Sequence, residues 1–399
     1  MTAPLDRIDE LLDPHVQRVA RRQTPIPTIA ERAKAAAAQN TAMVRADIGQ
    51  IVGVDDQLEV LYGPPVGLTT LREAVAELYT STFRLEPALG AENVTVCTGA
   101  AEALSLLFRC FGSGRRVGLP RGHWENYTNA VELSGGEPVV VDFFDETGAL
   151  DIPGLRRAIV DESLAVLLSN FPNNPTGAVL DEAETRALAE LVVEQNIVLI
   201  ADEVYARLRY DGVAPESALR YAPGHAVSIG SASKEYLVPG ARVGFVVSAR
   251  PDLTDRVLRK LVRANTASPS VLGQLQVEKM LAADLEDMRA GREPKLATRI
   301  RSAMRERRDA LLAVLERHGM PSVGRPGHRS EGTIFLMAAI PAWWSGDDVS
   351  FVEEAIARGL FSAIPGSAFG LPGSVRLSFG ATRLEDVERL DGHLAAFSR

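Results

Sequence analysis

Cysteine, lysine and long apolar runs are all scarce in this chain of 399 residues, and each scarcity excludes something. No stretch approaches the roughly 20 consecutive apolar residues of a membrane-spanning helix. The amino terminus, Met1 to Arg7, has no apolar core of a secretory signal. Cys97 and Cys110 fit no metal-ligand spacing and read as reduced, buried thiols, so the expected location is the cytoplasm and no metal is expected. A formal net charge of -9 argues against nucleic acid or an anionic membrane as a general partner, while leaving room for a local basic pocket. Lysine occurs only at positions 34, 234, 260, 279 and 295, so most cations are arginine, which forms no imine.

What is present is an ordinary globular composition, 46% hydrophobic and 24% charged, in a chain long enough for two cores. From Asn93 to Val247, short apolar strands alternate with amphipathic helices. Each strand is an unbroken apolar run, which predicts a largely parallel α/β sheet covered on both faces, with ligand loops at the strands' carboxyl ends. Beyond Arg250 the pattern is helical, including a long charged helix over Leu296–His318. Strands are then expected at Thr333–Met337, Phe361–Ile364 and Val375–Phe379, in a smaller α+β unit. Residues 5–40 read as a weakly apolar helical segment that buries little against its own chain: an arm on a neighbouring subunit or a frayed terminus. Thr69 or Thr70 is the expected cap of the helix that follows the two prolines at 64 and 65.

Five loops carry chemistry. The segment from Ser231 to Gly244 sets Lys234 in a small-residue turn between two buried strands. There a desolvated amine becomes a nucleophile for an aldehyde or ketone, although a turn with a solvated lysine has the same sequence. Ser231, Ser233 and Arg242 could together hold a phosphate. The turn Thr98-Gly99-Ala100-Ala101 opens a helix after a strand, so that backbone N–H groups point at an anion. Trp124, in a polar loop beside His123 and Tyr127, offers a face for stacking a planar ring or is an ordinary half-buried aromatic. Asn170 to Gly177 is a shaped loop rich in Pro and Asn. Asp202, at the end of the most apolar strand, needs a protonated nitrogen or an arginine beside it. Outside these loops, Arg376, inside an apolar strand, must meet an acidic side chain or receive a carboxylate.

An imine-forming lysine, a phosphate cradle, a stacking aromatic and an acid for a ring nitrogen are what pyridoxal 5'-phosphate requires. From about Gly49 to Phe379 the order and spacing of these motifs resemble the class I/II pyridoxal-phosphate-dependent aminotransferases of the aspartate aminotransferase fold, fold type I. That resemblance implies a large domain with a seven-stranded, mostly parallel sheet over residues 61–290. It also implies a smaller domain from 41–60 and 291–399, and an arm over 1–40. It implies that Lys234 condenses with the cofactor and shuttles the proton, that Asp202 keeps the pyridine nitrogen protonated, and that Asn174 and Tyr205 hydrogen-bond its 3′ oxygen. Trp124 would stack on the ring. The phosphate would be held by Gly99, Ala100, Ala101, Ser231, Ser233 and Arg242, with Tyr62 reaching in from the other subunit of a homodimer. Arg376 would bind the substrate α-carboxylate, with Gly49 on a closing loop nearby. The implied reaction is exchange of an amino group between an L-amino acid and a 2-oxo acid. The same motifs in relatives also serve eliminations, ring closures and oxygen-dependent oxidation. Three departures stand out: Ile51 where members commonly have proline, Trp124 for the usual tyrosine, and Glu235 beside the lysine, which puts an acid near the reactive amine. No second arginine can be named for a dicarboxylate, so aspartate specificity is not expected.

Overall fold

The computed structural model describes residues 12–21, 38–39 and 60–398, so Gly49 and its loop lie outside the described residues, as does most of the expected arm. The described piece of that arm departs from expectation. In helix α1 (Pro14–Arg21) and just before it, Val16 and Leu12 are 7% and 1% exposed and sit in the chain's own core. Asp13 donates its backbone N–H to Cys110 O at 2.7 Å.

Seven strands form the main sheet: β1 (Val94–Thr98), β2 (Arg116–Pro120), β3 (Glu137–Val141), β4 (Leu164–Asn170), β5 (Val198–Asp202), β6 (Ala226–Ser231) and β7 (Val243–Val247). Their order is β1-β7-β6-β5-β4-β2-β3. β7 runs antiparallel to both its neighbours, and the other pairs are parallel, as the alternating strand and helix pattern predicts. Because successive side chains point to opposite faces, β5 divides itself between two cores. Val198 and Ile200 join one apolar cluster and Leu199 joins the other. The same alternation places Asp202 and Glu203 on opposite sides of the sheet, which decides their separate fates below.

The second sheet has the order β10-β11-β9-β8, all antiparallel, from β8 (Ser322–Val323), β9 (Phe335–Ala339), β10 (Ile364–Pro365) and β11 (Ser374–Ser378). The strand expected over Phe361–Ile364 shrinks to the two residues of β10, since only Ile364 and Pro365 find register partners. The long charged helix spans Lys295–Arg317. The helix Thr69–Phe83 is capped not by a threonine side chain but by the backbone of Leu68, with both threonines already inside the first turn. Among the described residues no helix is long and apolar enough to cross a membrane.

Candidate active site

The site is assembled where β4, β5 and β6 end and the antiparallel sheet approaches. Asp202, the last residue of β5, is 3% exposed. Burial pushes its carboxyl up to about 6, against hydrogen bonds from the Tyr127 hydroxyl and the Val204 N–H and the attraction of Lys234, all of which pull the other way. Tyr127 donates to Oδ2 at 2.6 Å and Val204 N to Oδ1 at 3.3 Å. Among the described residues no arginine pairs with this carboxylate.

Tyr127 is itself braced. His123 stacks on it, with ring centroids 6.4 Å apart, and Trp124 meets it edge-on at 5.6 Å. His123 Nδ1 lies 2.8 Å from Pro120 O and Nε2 lies 2.9 Å from the Thr128 hydroxyl. A carbonyl only accepts, so Nδ1 carries the proton; burial lowers the ring's affinity for a second one, and Nε2 accepts from Thr128. Neither His123 nor Tyr127 had a role legible in the sequence. A tyrosine three residues after a loop tryptophan reads as core, and only the fold carries its hydroxyl to Asp202.

Lys234 sits on a one-turn helix, Ala232–Glu235, that β6 feeds directly. Its Nζ lies 5.8 Å from the centroid of the Tyr205 ring. Burial lowers its affinity for a proton, the nearby Arg376 lowers it further, and Asp202 opposes both. Tyr205 is 4% exposed, and burial raises its hydroxyl well above the usual range. Arg376, on β11, donates from Nη1 to Asn174 Oδ1 at 3.0 Å. Its guanidinium lies between Phe335 and Phe369, at 4.3 and 4.7 Å from their centroids. With an amide oxygen rather than a carboxylate as its partner, the guanidinium keeps its charge available for an incoming anion. Asn174 is aimed by the amide of Asn170, which accepts from Asn174 N at 2.9 Å while donating to Asp202 O at 3.0 Å. Asn170 thus ties two site loops together, a part the sequence reading did not assign to it.

Beside Lys234 lies a second cluster. Gly99 precedes helix Ala100–Leu107 with φ +79°, and no side chain caps that helix. A Cβ on Gly99 would stand 2.4 Å from Arg242 Nη2, and one on Gly244 would stand 2.4 Å from Ala100 N, so two glycines keep this hollow open. Ser231 Oγ lies 3.0 Å from Ser233 Oγ. Uncapped first-turn N–H groups, two hydroxyls and a guanidinium around one hollow are a donor set for a phosphate. The strand that ends at the buried Asp202 pairs directly with the strand that feeds this cluster. Together the residues present fit pyridoxal 5'-phosphate. Tyr62 is 69% exposed. The partner of Glu235, the acid expected near the amine, is Arg207: its Oε1 accepts from Arg207 N at 2.9 Å.

A protein-family model described as Aminotransferase class I and II matches residues 22–394. The probable aspartate/prephenate aminotransferase of Thermus aquaticus is 33% identical over 333 residues, 82% of this chain and 81% of that protein. Among solved structures, aspartate aminotransferase from Thermus thermophilus with maleate aligns with a TM-score of 0.75 at 28% identity, over 99% of this chain and 100% of that one. An aromatic aminotransferase from Pyrococcus horikoshii OT3 aligns with a TM-score of 0.74 at 27% identity, over 94% and 93%.

Proposed function

The chain belongs to the class I and II aminotransferases, and from that premise we propose how its residues divide the work. It is a pyridoxal-phosphate-dependent aminotransferase of fold type I, moving an amino group between an amino acid and a 2-oxo acid. The cofactor, when bound, supplies an electron-accepting ring that lets the bond from the substrate α-carbon to hydrogen break.

Lys234 Nζ would hold the cofactor through its aldehyde carbon, with water as the leaving group, and, once freed by the substrate amine, would move the proton at the α-carbon. Its lowered proton affinity, set by burial and Arg376, supports both tasks. Asp202 holds the proton on the ring nitrogen. Asn174 and Tyr205 would hold the ring oxygen, Trp124 would supply the stacking face, and Gly99, Ala100, Ala101, Ser231, Ser233 and Arg242 would hold the phosphate. Arg376 takes the substrate α-carboxylate in a bidentate fork, replacing its bond to Asn174. Gly49, on the early loop, is assigned near that carboxylate on the family resemblance alone. The observation that carries the reading is the convergence of a lysine and a ring-acidifying carboxylate, from adjacent parallel strands, with an arginine from the second sheet.

Several relatives are named for aspartate, a dicarboxylate. No second arginine can be named from the sequence for a side-chain carboxylate, so we assign the substrate to amino acids with a single carboxylate. The working unit is a homodimer. Tyr62 and Leu272 are both exposed, and Val271, the first residue of the helix that carries Leu272, reaches within 3.1 Å of the Cβ position of Gly63. The cytoplasm is the assigned compartment, in keeping with the buried free thiols of Cys97 and Cys110. The test is to load purified protein with pyridoxal 5'-phosphate, reduce it with borohydride and map the labelled peptide. Label on Lys234, together with 2-oxo acid release from leucine or phenylalanine exceeding that from aspartate, is expected. An unlabelled Lys234 overturns the assignment, and faster turnover of aspartate overturns the substrate class.

A further inference from the structure

Behind the sheet, on the side away from the hollow, a group of charges is buried that the reaction does not use. Arg207 follows Tyr205 by two residues, and Glu235 and Tyr236 follow Lys234 directly. The side chains of Arg207, Glu235 and Asp284 are only 10%, 11% and 1% exposed. The Glu235 carboxylate accepts from the backbone N–H of Arg207 at 2.9 Å, and its other oxygen lies 3.9 Å from the guanidinium. Arg207 then donates to the Tyr236 hydroxyl at 2.7 Å and to Asp284 Oδ2 at 2.6 Å, and Tyr236 donates to the same oxygen at 3.0 Å. Asp284 belongs to helix Val271–Arg289, so the group is fixed to a rigid element. Across a small cavity lie Glu203 and Tyr79, the other titratable groups facing Glu235.

Buried ion groups of this kind give less stability than well-packed apolar side chains would, so stability is a poor account of why three charges stand here. Their placement gives a better one. The bond from Glu235 to Arg207 N joins the turn that carries Lys234 to the loop that carries Asp202 and Tyr205, from the far side. Beside the sheet's own pairing of Leu199–Asp202 with Ala226–Ile229 and the bond from Glu203 N to Ile229 O, it adds a tie at the residue next to Lys234. Such a tie fixes the lysine's reach, and an error of about 1 Å in reach costs on the order of a hundredfold in rate.

We propose that Glu235 and Arg207, anchored by Asp284, are positioning residues that set where the Lys234 amine stands relative to Asp202 and Tyr205. The inference rests on the assignment of Lys234 above. It concerns the reach of the Glu235 side chain to the Arg207 N–H, not its charge. Glu235→Gln keeps the acceptor at the same reach and loses the charge, whereas Glu235→Asp keeps the charge and withdraws it by one methylene.

The test compares these two variants, neither of which empties the core, with the wild type. Two readouts are used: steady-state kinetics of the holoenzyme, and the pH dependence of Lys234 acetylation in cofactor-free protein, followed by mass spectrometry. Expected are a Gln variant within about twofold of wild type in both, and an Asp variant with kcat reduced about tenfold or more at nearly unchanged KM. In the Asp variant the labelling midpoint of Lys234 should also rise, because the amine drifts from Arg376 towards solvent. Equal damage in both variants would overturn the proposal, since charge would then be the cause, and so would wild-type behaviour in both. A Lys234 that resists labelling in the wild-type protein at every pH would instead strike at its assignment as the reactive amine.

Discussion

Replacing Tyr127 by phenylalanine removes one hydroxyl and tests how the site keeps its buried acid ionised. Asp202 is raised from the ordinary 3.8 to about 6 chiefly by burial, and the 2.6 Å bond from Tyr127 is the first of the forces holding it down. A hydrogen bond to a charged group contributes about 1.5–3 kcal/mol net. At about 1.4 kcal/mol per pH unit, its loss should move Asp202 of the cofactor-free protein up by about one to two units, to roughly 7–8. At pH 7 the ionised fraction would fall from ~0.9 to between ~0.5 and ~0.1. In the holoenzyme the carboxylate would then compete for the ring proton it is meant to leave in place, and kcat should fall about tenfold or more. The assay is ¹³C NMR of the aspartate carboxyls in cofactor-free protein across pH 4–9, with Asp202→Asn identifying the resonance, alongside kcat of the reconstituted enzyme. A titration midpoint within ~0.3 units of the parent would refute the reasoning, because a donor that does not move the midpoint is not stabilising the anion.

Three further outcomes follow from the same geometry. Arg376→Lys keeps a charge but loses the fork held between Phe335 and Phe369, so kcat/KM should drop ~10–100-fold, mostly through KM, as steady-state kinetics would show. Gly244→Ala would drive a Cβ to 2.4 Å from both Ala100 N and Gly99 C, which are backbone atoms that cannot rotate aside. It should cost about 1–3 kcal/mol in denaturant unfolding and weaken cofactor binding in an equilibrium titration. Glu203, raised by burial from 4.5 to about 8, binds its proton more tightly folded than unfolded, so its contribution to stability declines as pH rises through that window. Glu203→Gln should therefore gain stability relative to the parent between pH 5 and pH 9. A difference independent of pH would show that the carboxyl does not titrate there.

Much of this protein is written in local patterns. The run Ile197 to Ala201 closing on Asp202 reads as a buried strand delivering an acid, because a carboxylate at that place is costly without a cation or a protonated nitrogen beside it. The scarcity of lysine isolates Lys234, and the small residues at Gly99 and Gly244 announce a close approach of backbone to something. The family motifs then fix the order in which these parts meet, and the seven-stranded sheet follows.

What needed the folded chain were the partners that sequence separation hides. Nothing near Tyr127 says that its hydroxyl will reach an aspartate 75 residues on, or that Arg376 will rest on Asn174, 202 residues back. Glu235 shows the limit most plainly. As the neighbour of the reactive lysine it reads as part of the site, yet the partner of its carboxylate is the backbone N–H of Arg207. Hydrophobic periodicity acts within a few residues and therefore fixes strands, helices and their faces. A hydrogen bond depends on distance in space, and it is the packing of the whole chain that sets those distances.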